Sequence, residues 1–173
     1  AGITLDRLKN AFPVARNIVR SMPNTPGQIG SGITGFLFET KPTDEDYSTV
    51  QNVLSSLGEV KEVEKEIDID RVTAISGSGP AYLFDFTCAL EEAGKEIGLA
   101  PELAKELAFH TIVGAAKLME NSSFHPEELR NQVTSPNGTT QAALESFSKD
   151  QLRDIVTRAA HAARDRSIEL SNA

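Results

Sequence analysis

The chain has 173 residues, enough for one good core or for a core plus an incomplete second unit. A net charge of -8 and a pI near 4.9 disfavour nucleic acid and anionic membrane surfaces as partners and favour a small polar ligand. The apolar runs fall far short of a membrane span, and no basic segment precedes an apolar one in the first residues, so a cytoplasmic location is the expectation. The single cysteine, Cys88, has no second thiol for a disulfide or a metal site, and its neighbours Tyr82, Leu83, Phe84 and Phe86 make it read as a packed core thiol. No metal site is expected.

Helix and strand signals alternate over the first sixty or so residues. Ile3 to Leu8 reads as a short helix and Arg16 to Arg20 as a strand, stopped by Pro23-Asn24-Thr25-Pro26. Gly32 to Phe38 reads as a second strand. Thr43 with Asp46 three residues on resembles a capping box for a helix through Val50, Val53, Leu54 and Leu57 that ends at Gly58. Val60 and Val63 mark a third short strand. This rhythm belongs to an α/β layer, with too few strands for a complete doubly wound domain.

From Ile67 onward strand signals vanish, which places a boundary near residues 64–70 and predicts an all-helical second half. Ser76-Gly77-Ser78-Gly79 reads as a tight linker and cap before a helix with Pro80 in its first turn. Pro101 opens the next helix, whose Leu103, Leu107, Ala108, Ile112, Ala115, Ala116 and Met119 make it apolar nearly all round. Such a helix needs cover on several sides, as a partner subunit would provide. His110 on that helix reads as a core or interface group. The last helix is expected to open at Ser148, with Gln151 as its capping partner.

Two loops carry chemistry-like patterns. Gly30-Ser31-Gly32-Ile33-Thr34-Gly35 spells the dinucleotide fingerprint G-x-G-x-x-G, but it follows a proline loop and enters a β-like run instead of leaving a strand for a helix, so it is not read as a phosphate grip. Val133-Thr134-Ser135-Pro136-Asn137-Gly138-Thr139-Thr140 is a hydroxyl-rich turn running into the apolar start of a helix at Ala142-Ala143-Leu144. Free N–H groups of that helix would point back at the turn beside the threonine hydroxyls, an arrangement suited to a small carboxylate. Ser135 or Thr139 acting only as an N-cap is the structural alternative.

Met22-Pro23-Asn24-Thr25-Pro26, Ala74-Ile75-Ser76-Gly77-Ser78-Gly79-Pro80-Ala81-Tyr82, and Leu129-Arg130-Asn131-Gln132-Val133-Thr134-Ser135-Pro136-Asn137-Gly138-Thr139-Thr140 occur in an order that resembles pyrroline-5-carboxylate reductase. The resemblance runs the whole length and takes in Gly114 to Met119 and His125-Pro126. It implies an α/β remnant of a Rossmann-type domain, the C-terminal part of a nucleotide-binding domain over residues 1–66. An all-α helical dimerisation and substrate-binding domain would follow over residues 67–173. The implied reaction is hydride transfer from NADPH or NADH to the C=N bond of 1-pyrroline-5-carboxylate, giving L-proline, in a homodimer or a higher oligomer built from dimers. By the same resemblance Ser135, Gly138, Thr139 and Thr140 hold the substrate carboxylate, Val133 joins them in binding the substrate, and the Thr140 hydroxyl stands near the ring nitrogen as the catalytic group. Met22, Pro23 and Asn24 face the nicotinamide end of the NADP or NAD cofactor.

Three departures stand out. Asn137 replaces a second glycine, Cys88 an acid and His110 a glutamine. The chain also starts near the middle of the implied nucleotide domain, so it is expected to be inactive alone. A non-enzymatic helical dimerisation module is one alternative. A related two-domain NAD(P)-dependent dehydrogenase is the other; a catalytic lysine is expected there, and Lys117 is the nearest candidate.

Overall fold

A computed structural model describes residues 1–172, and the chain falls into two compact units: residues 1–81 with the stretch from Thr157 onward, and residues 82–156. These packing units do not coincide with the change of secondary structure near residues 64–70.

The first unit holds a three-stranded mixed sheet in the order β1-β2-β3: β1 (Val19–Met22), β2 (Gly32–Phe38) and β3 (Gly58–Glu62). β1 runs antiparallel to β2, with Met22 opposite Gly35, and β3 parallel to β2, with Gly32 opposite Gly58. The parallel crossover is α2 (Asp44–Ser55), which begins with the capping box that the sequence predicts: Thr43 Oγ accepts from Asp46 N–H, and the Asp46 carboxylate accepts from Thr43 N–H. Phe36, fully buried, is the centre of the core; Phe38 meets it edge-on at 5.8 Å, and Tyr47 of α2 stacks on Phe38 at 6.1 Å. Before β1, α1 (Leu5–Ala11) is capped by Thr4, whose hydroxyl accepts from Arg7 N–H.

Behind the sheet lies α3 (Glu66–Val72), against β1 and β2. Its Ile69 is buried, and its Glu66 and Asp70 flank the buried guanidinium of Arg20 on β1, at 2.9 Å and 3.6 Å. Ser167 of α8 (Leu152–Asn172) donates to Asp70 Oδ1 at 2.6 Å, and Leu5 N–H donates to Glu66 at 2.7 Å. One buried polar network thus ties the sheet to α1, α3 and the far half of α8. Beyond α3 the path does not break. Thr73–Gly77 is a π-helical turn, with Ser78 N–H bonded to Thr73 O five residues back at 2.8 Å, and α4 (Gly79–Glu96) follows directly. Ser76 to Gly79, expected as a linker and cap, is therefore part of a continuous helical run, because the wider turn keeps the backbone paired without a cap.

The second unit is helical: most of α4, α5 (Pro101–Glu120), α6 (Pro126–Gln132), α7 (Thr139–Lys149) and the first residues of α8. Its buried hydrophobic side chains, among the described residues, are only Ala104 and Ala108, and α4 packs closely there: a Cβ on Gly94 would lie 3.0 Å from the Ala104 methyl. Cys88, read as a packed core thiol, is exposed on α4, and His110, read as core or interface, is exposed on α5 against the ring of Phe109. Both lie on faces that no other element of the chain covers. The last helix also starts later than expected. Ser148 belongs to the final turn of α7, Asp150 caps it, and Gln151 at φ 55° breaks the path before α8.

Candidate functional site

The Val133–Thr140 segment joins α6 to α7 within the helical unit. Val133 ends α6 and is exposed, while the Thr134 hydroxyl is spent on Arg130 O at 2.6 Å, anchoring the loop to the last turn of that helix. Pro136 and Asn137 (φ 58°) form the two central positions of a turn closed by Gly138 N–H to Ser135 O at 3.0 Å, the pattern of a type II turn. Asparagine tolerates the left-handed conformation, so the turn forms with Asn137 where a glycine was expected. Asn137 is further held by its N–H bond to Gln141 Oε1 at 2.8 Å, while Gln141 donates to Glu145 at 2.7 Å. Sequence reading missed Gln141, although its place four residues after Asn137 on the first turn of a helix was the available signal.

Gly138 is the N-cap of α7. With no side chain it supplies no cap, and the first intrahelical bond runs from Ala142 N–H to Gly138 O at 3.2 Å. The N–H groups of Thr139, Thr140 and Gln141 find no acceptor among the described residues. Ser135 Oγ stands where a Cβ on Gly138 would fall, so any larger residue at 138 would collide with that hydroxyl. Neither Ser135 nor Thr139 caps the helix, which removes the structural alternative for both. Ser135, Gly138, Thr139 and Thr140 are brought together around three unpaired donors at the positive end of an eleven-residue helix, where a carboxylate is favourably placed. A groove of about 780 Å³ lies on the Arg130–Thr134 side of the loop, reaching Leu144, Phe147 and Leu152, but Ser135, Gly138, Thr139 and Thr140 are not in its wall.

Met22, Pro23 and Asn24 follow one another at the end of β1, in the other compact unit. Pro23 is exposed. Asn24 Oδ1 accepts from Ile33 N–H at 2.9 Å and Asn24 O from Gly27 N–H at 3.1 Å, which pins the loop to the start of β2; the Nδ2 group finds no acceptor among the described residues. The Gly30–Gly35 run enters β2, as its sequence context indicated, and its glycines serve packing. A Cβ on Gly32 would lie 2.7 Å from Gly27 backbone, and one on Gly35 2.8 Å from a Val72 methyl. Among the described residues no three His, Cys, Asp or Glu side chains gather as a metal site, and no helix is long and apolar enough to cross a membrane.

The first unit is a small three-stranded α/β sheet, and the second is a helical unit that leaves its apolar faces uncovered. The sequence of residues 66–170 matches the family described as pyrroline-5-carboxylate reductase dimerisation, and the chain belongs to the pyrroline-5-carboxylate reductase family. It is similar to the pyrroline-5-carboxylate reductases of Pseudomonas aeruginosa (40% identical over 171 residues, 99% of this chain) and Corynebacterium melassecola (43% over 170 residues, 98% of this chain). It spans 63% of the length of each. Among solved structures, a pyrroline-5-carboxylate reductase from Coxiella burnetii superposes with a TM-score of 0.92 at 35% identity, over 99% of this chain and 63% of that one. The Plasmodium falciparum pyrroline carboxylate reductase with NADP bound superposes with a TM-score of 0.85 at 33% identity, over 98% of this chain and 68% of that one.

Proposed function

We propose that this chain is the substrate-binding and dimer-forming part of a reductase that converts 1-pyrroline-5-carboxylate to L-proline with NADPH or NADH. The observation that carries this reading is the start of α7: three unpaired N–H donors beside the hydroxyls of Ser135, Thr139 and Thr140, with Gly138 making room for the Ser135 hydroxyl. The substrate carboxylate would occupy that position, held by charge-assisted bonds of the stronger kind. Thr140, second residue of α7, would then bring its hydroxyl to the ring nitrogen and donate to it as hydride reaches the neighbouring carbon. Val133 would line the apolar side of the ring.

Met22, Pro23 and Asn24 would meet the nicotinamide end of the nucleotide, with the free Asn24 Nδ2 as a donor. The nucleotide supplies the hydride when bound. No described glycine run leaves a strand for a helix, so the phosphate grip must come from residues other than these, in keeping with a division into a nucleotide-domain part over 1–66 and a substrate domain over 67–173. The chain alone would therefore not turn over. The helical unit, whose buried apolar side chains are two alanines, would gain its core from a second copy, making the working form a homodimer or an assembly of dimers. The cytoplasm is the setting we propose.

The test is consumption of NADPH by the full-length protein with 1-pyrroline-5-carboxylate. Thr140→Ala is expected to lower kcat/KM by about 100-fold, the effect of losing a positioned hydrogen-bond donor at the reacting nitrogen. A free-standing dimerisation module would show no turnover in the full-length wild type and no proline binding at this loop.

A further inference from the structure

The segment from Arg20 to Asn24 is fixed at alternate residues. Arg20 is locked by Glu66 and Asp70 and Asn24 by Ile33 N–H, which leaves Met22 between them. Met22 shares the sheet face of Arg20, the face on which α3 lies. Two glycines make close approach possible there. Gly35, the cross-strand partner of Met22, is bare where Val72 of α3 presses on the sheet. Gly77 is bare where Met22 presses on the helix: a Cβ at 77 would lie 2.7 Å from Met22 Cε and 3.9 Å from its Cγ. The sheet receives a knob from the helix, and the helix receives one from the sheet.

The π-helical turn is what brings Gly77 into place. Its bond from Ser78 N–H back to Thr73 O inserts one residue into the helical path, shifting which side chains face the sheet, and Thr73 is itself tied to Ile69 O at 2.7 Å. An α-helical path would rotate a different residue onto Met22.

We propose that Gly77 is a positioning residue for the nucleotide-facing loop: its missing side chain seats Met22 and thereby sets how Met22 and Pro23 meet the nicotinamide. This rests on the reading of Met22–Asn24 as the nicotinamide-end loop. Gly77→Ala would not break the fold, because the atom in its way is the tip of a flexible side chain; the Met22 side chain moves instead, and its contact beside Pro23 changes.

Two measurements decide it. The chain has two methionines, so carbon-13 methyl labelling gives one resonance each for Met22 and Met119. In Gly77→Ala the Met22 signal is expected to shift while Met119 stays. In the full-length reductase the same change is expected to raise the nucleotide KM by about tenfold, since sub-ångström misplacement of a reacting group is costly. On a Met22→Ala background, where nothing fills the hollow, it is expected to have little further effect. Should Gly77→Ala fail to fold, Met22→Leu withdraws the terminal methyl from the other side of the contact and is expected to raise the nucleotide KM in the same direction. A nucleotide KM within about twofold of wild type in the variant that folds, an unmoved Met22 methyl, or an equal effect of Gly77→Ala with and without Met22 overturns the proposal. A full-length wild type that does not reduce 1-pyrroline-5-carboxylate overturns the activity reading instead, and the methyl resonance still judges the Gly77 contact.

Discussion

Asp70→Asn is the sharpest probe of what holds the α/β unit together. The side chains of Arg20 and Asp70 are only 5% and 6% exposed, and Glu66, the other carboxylate on Arg20, is 38% exposed. Two unit charges 3.6 Å apart attract by about 4–5 kcal/mol at an effective dielectric near 20. Asparagine keeps the shape and an acceptor for Ser167 Oγ, so the loss isolates the charge. Arg20 keeps Glu66 at 2.9 Å, but its buried second nitrogen, which already has no hydrogen-bond acceptor, loses the neighbouring charge as well. Removing one partner of a buried pair costs about 3–5 kcal/mol; the surviving Glu66 brings the expectation to about 2–3 kcal/mol. Urea unfolding by circular dichroism measures it, at one protomer concentration because oligomer stability depends on concentration. Ser167→Ala, which removes a neutral donor, should cost about 1–2 kcal/mol. Arg20→Met combined with Asp70→Asn should cost less than the two single losses together, by about 1–3 kcal/mol. An Asp70→Asn protein within about 0.5 kcal/mol of wild type would refute the idea that the pair matters, and strict additivity in the double variant would refute the idea that it acts as a pair.

The Thr43 hydrogen bonds, followed by Arg16, hold the Asp46 carboxyl below the ordinary carboxylate range. A depressed carboxylate adds stability above its unfolded pKa and loses it as pH falls through the folded one, so Asp46→Asn should lower the melting temperature at neutral and alkaline pH and converge with wild type in acid, which flattens the acid side of the profile. Lys9, raised by Glu39, works in the opposite sense: its contribution is complete below the unfolded lysine pKa and fades as pH rises through the folded one, so Lys9→Met should lower the melting temperature at neutral pH and converge with wild type on the alkaline limb. Gly58→Ala should lose about 3 kcal/mol or more, because Gly58 sits at φ 126° and a Cβ there would collide with Gly32 O and lie 2.6 Å from Gly32 N. Gly98→Ala, at φ 100° with open space around it, should cost about 1–2 kcal/mol by the same denaturation assay, from backbone strain alone. Light scattering should find a dimer or larger assembly, and Leu107→Glu, on the uncovered face of α5, should shift it toward monomer; a monomeric wild type would refute the reading of that face.

What the sequence made legible is what rests on neighbours in the chain. Thr43 and Asp46 are three residues apart, so their capping box could be read, and so could Asn137 in a turn after Pro136. The same locality misled at Ser148 and Gln151, whose capping pattern is sound but lies where α7 is still finishing. The Arg20–Asp70–Ser167 network joins residues 50 and 97 positions apart, and no local pattern marks it. Cys88 and His110 show a different limit. Apolar periodicity reports that a face must be covered but not by what, so the same residues read as core when the cover is assumed to come from within the chain. The glycine-rich stretches illustrate this most fully. Gly30 to Gly35 matches a phosphate motif by spelling, yet Gly32 and Gly35 are small because backbone and Val72 press on them. Gly77, in a segment readable only as linker, makes the corresponding opening on the helix for Met22. In each case the letter records a close approach, and only the fold identifies what approaches.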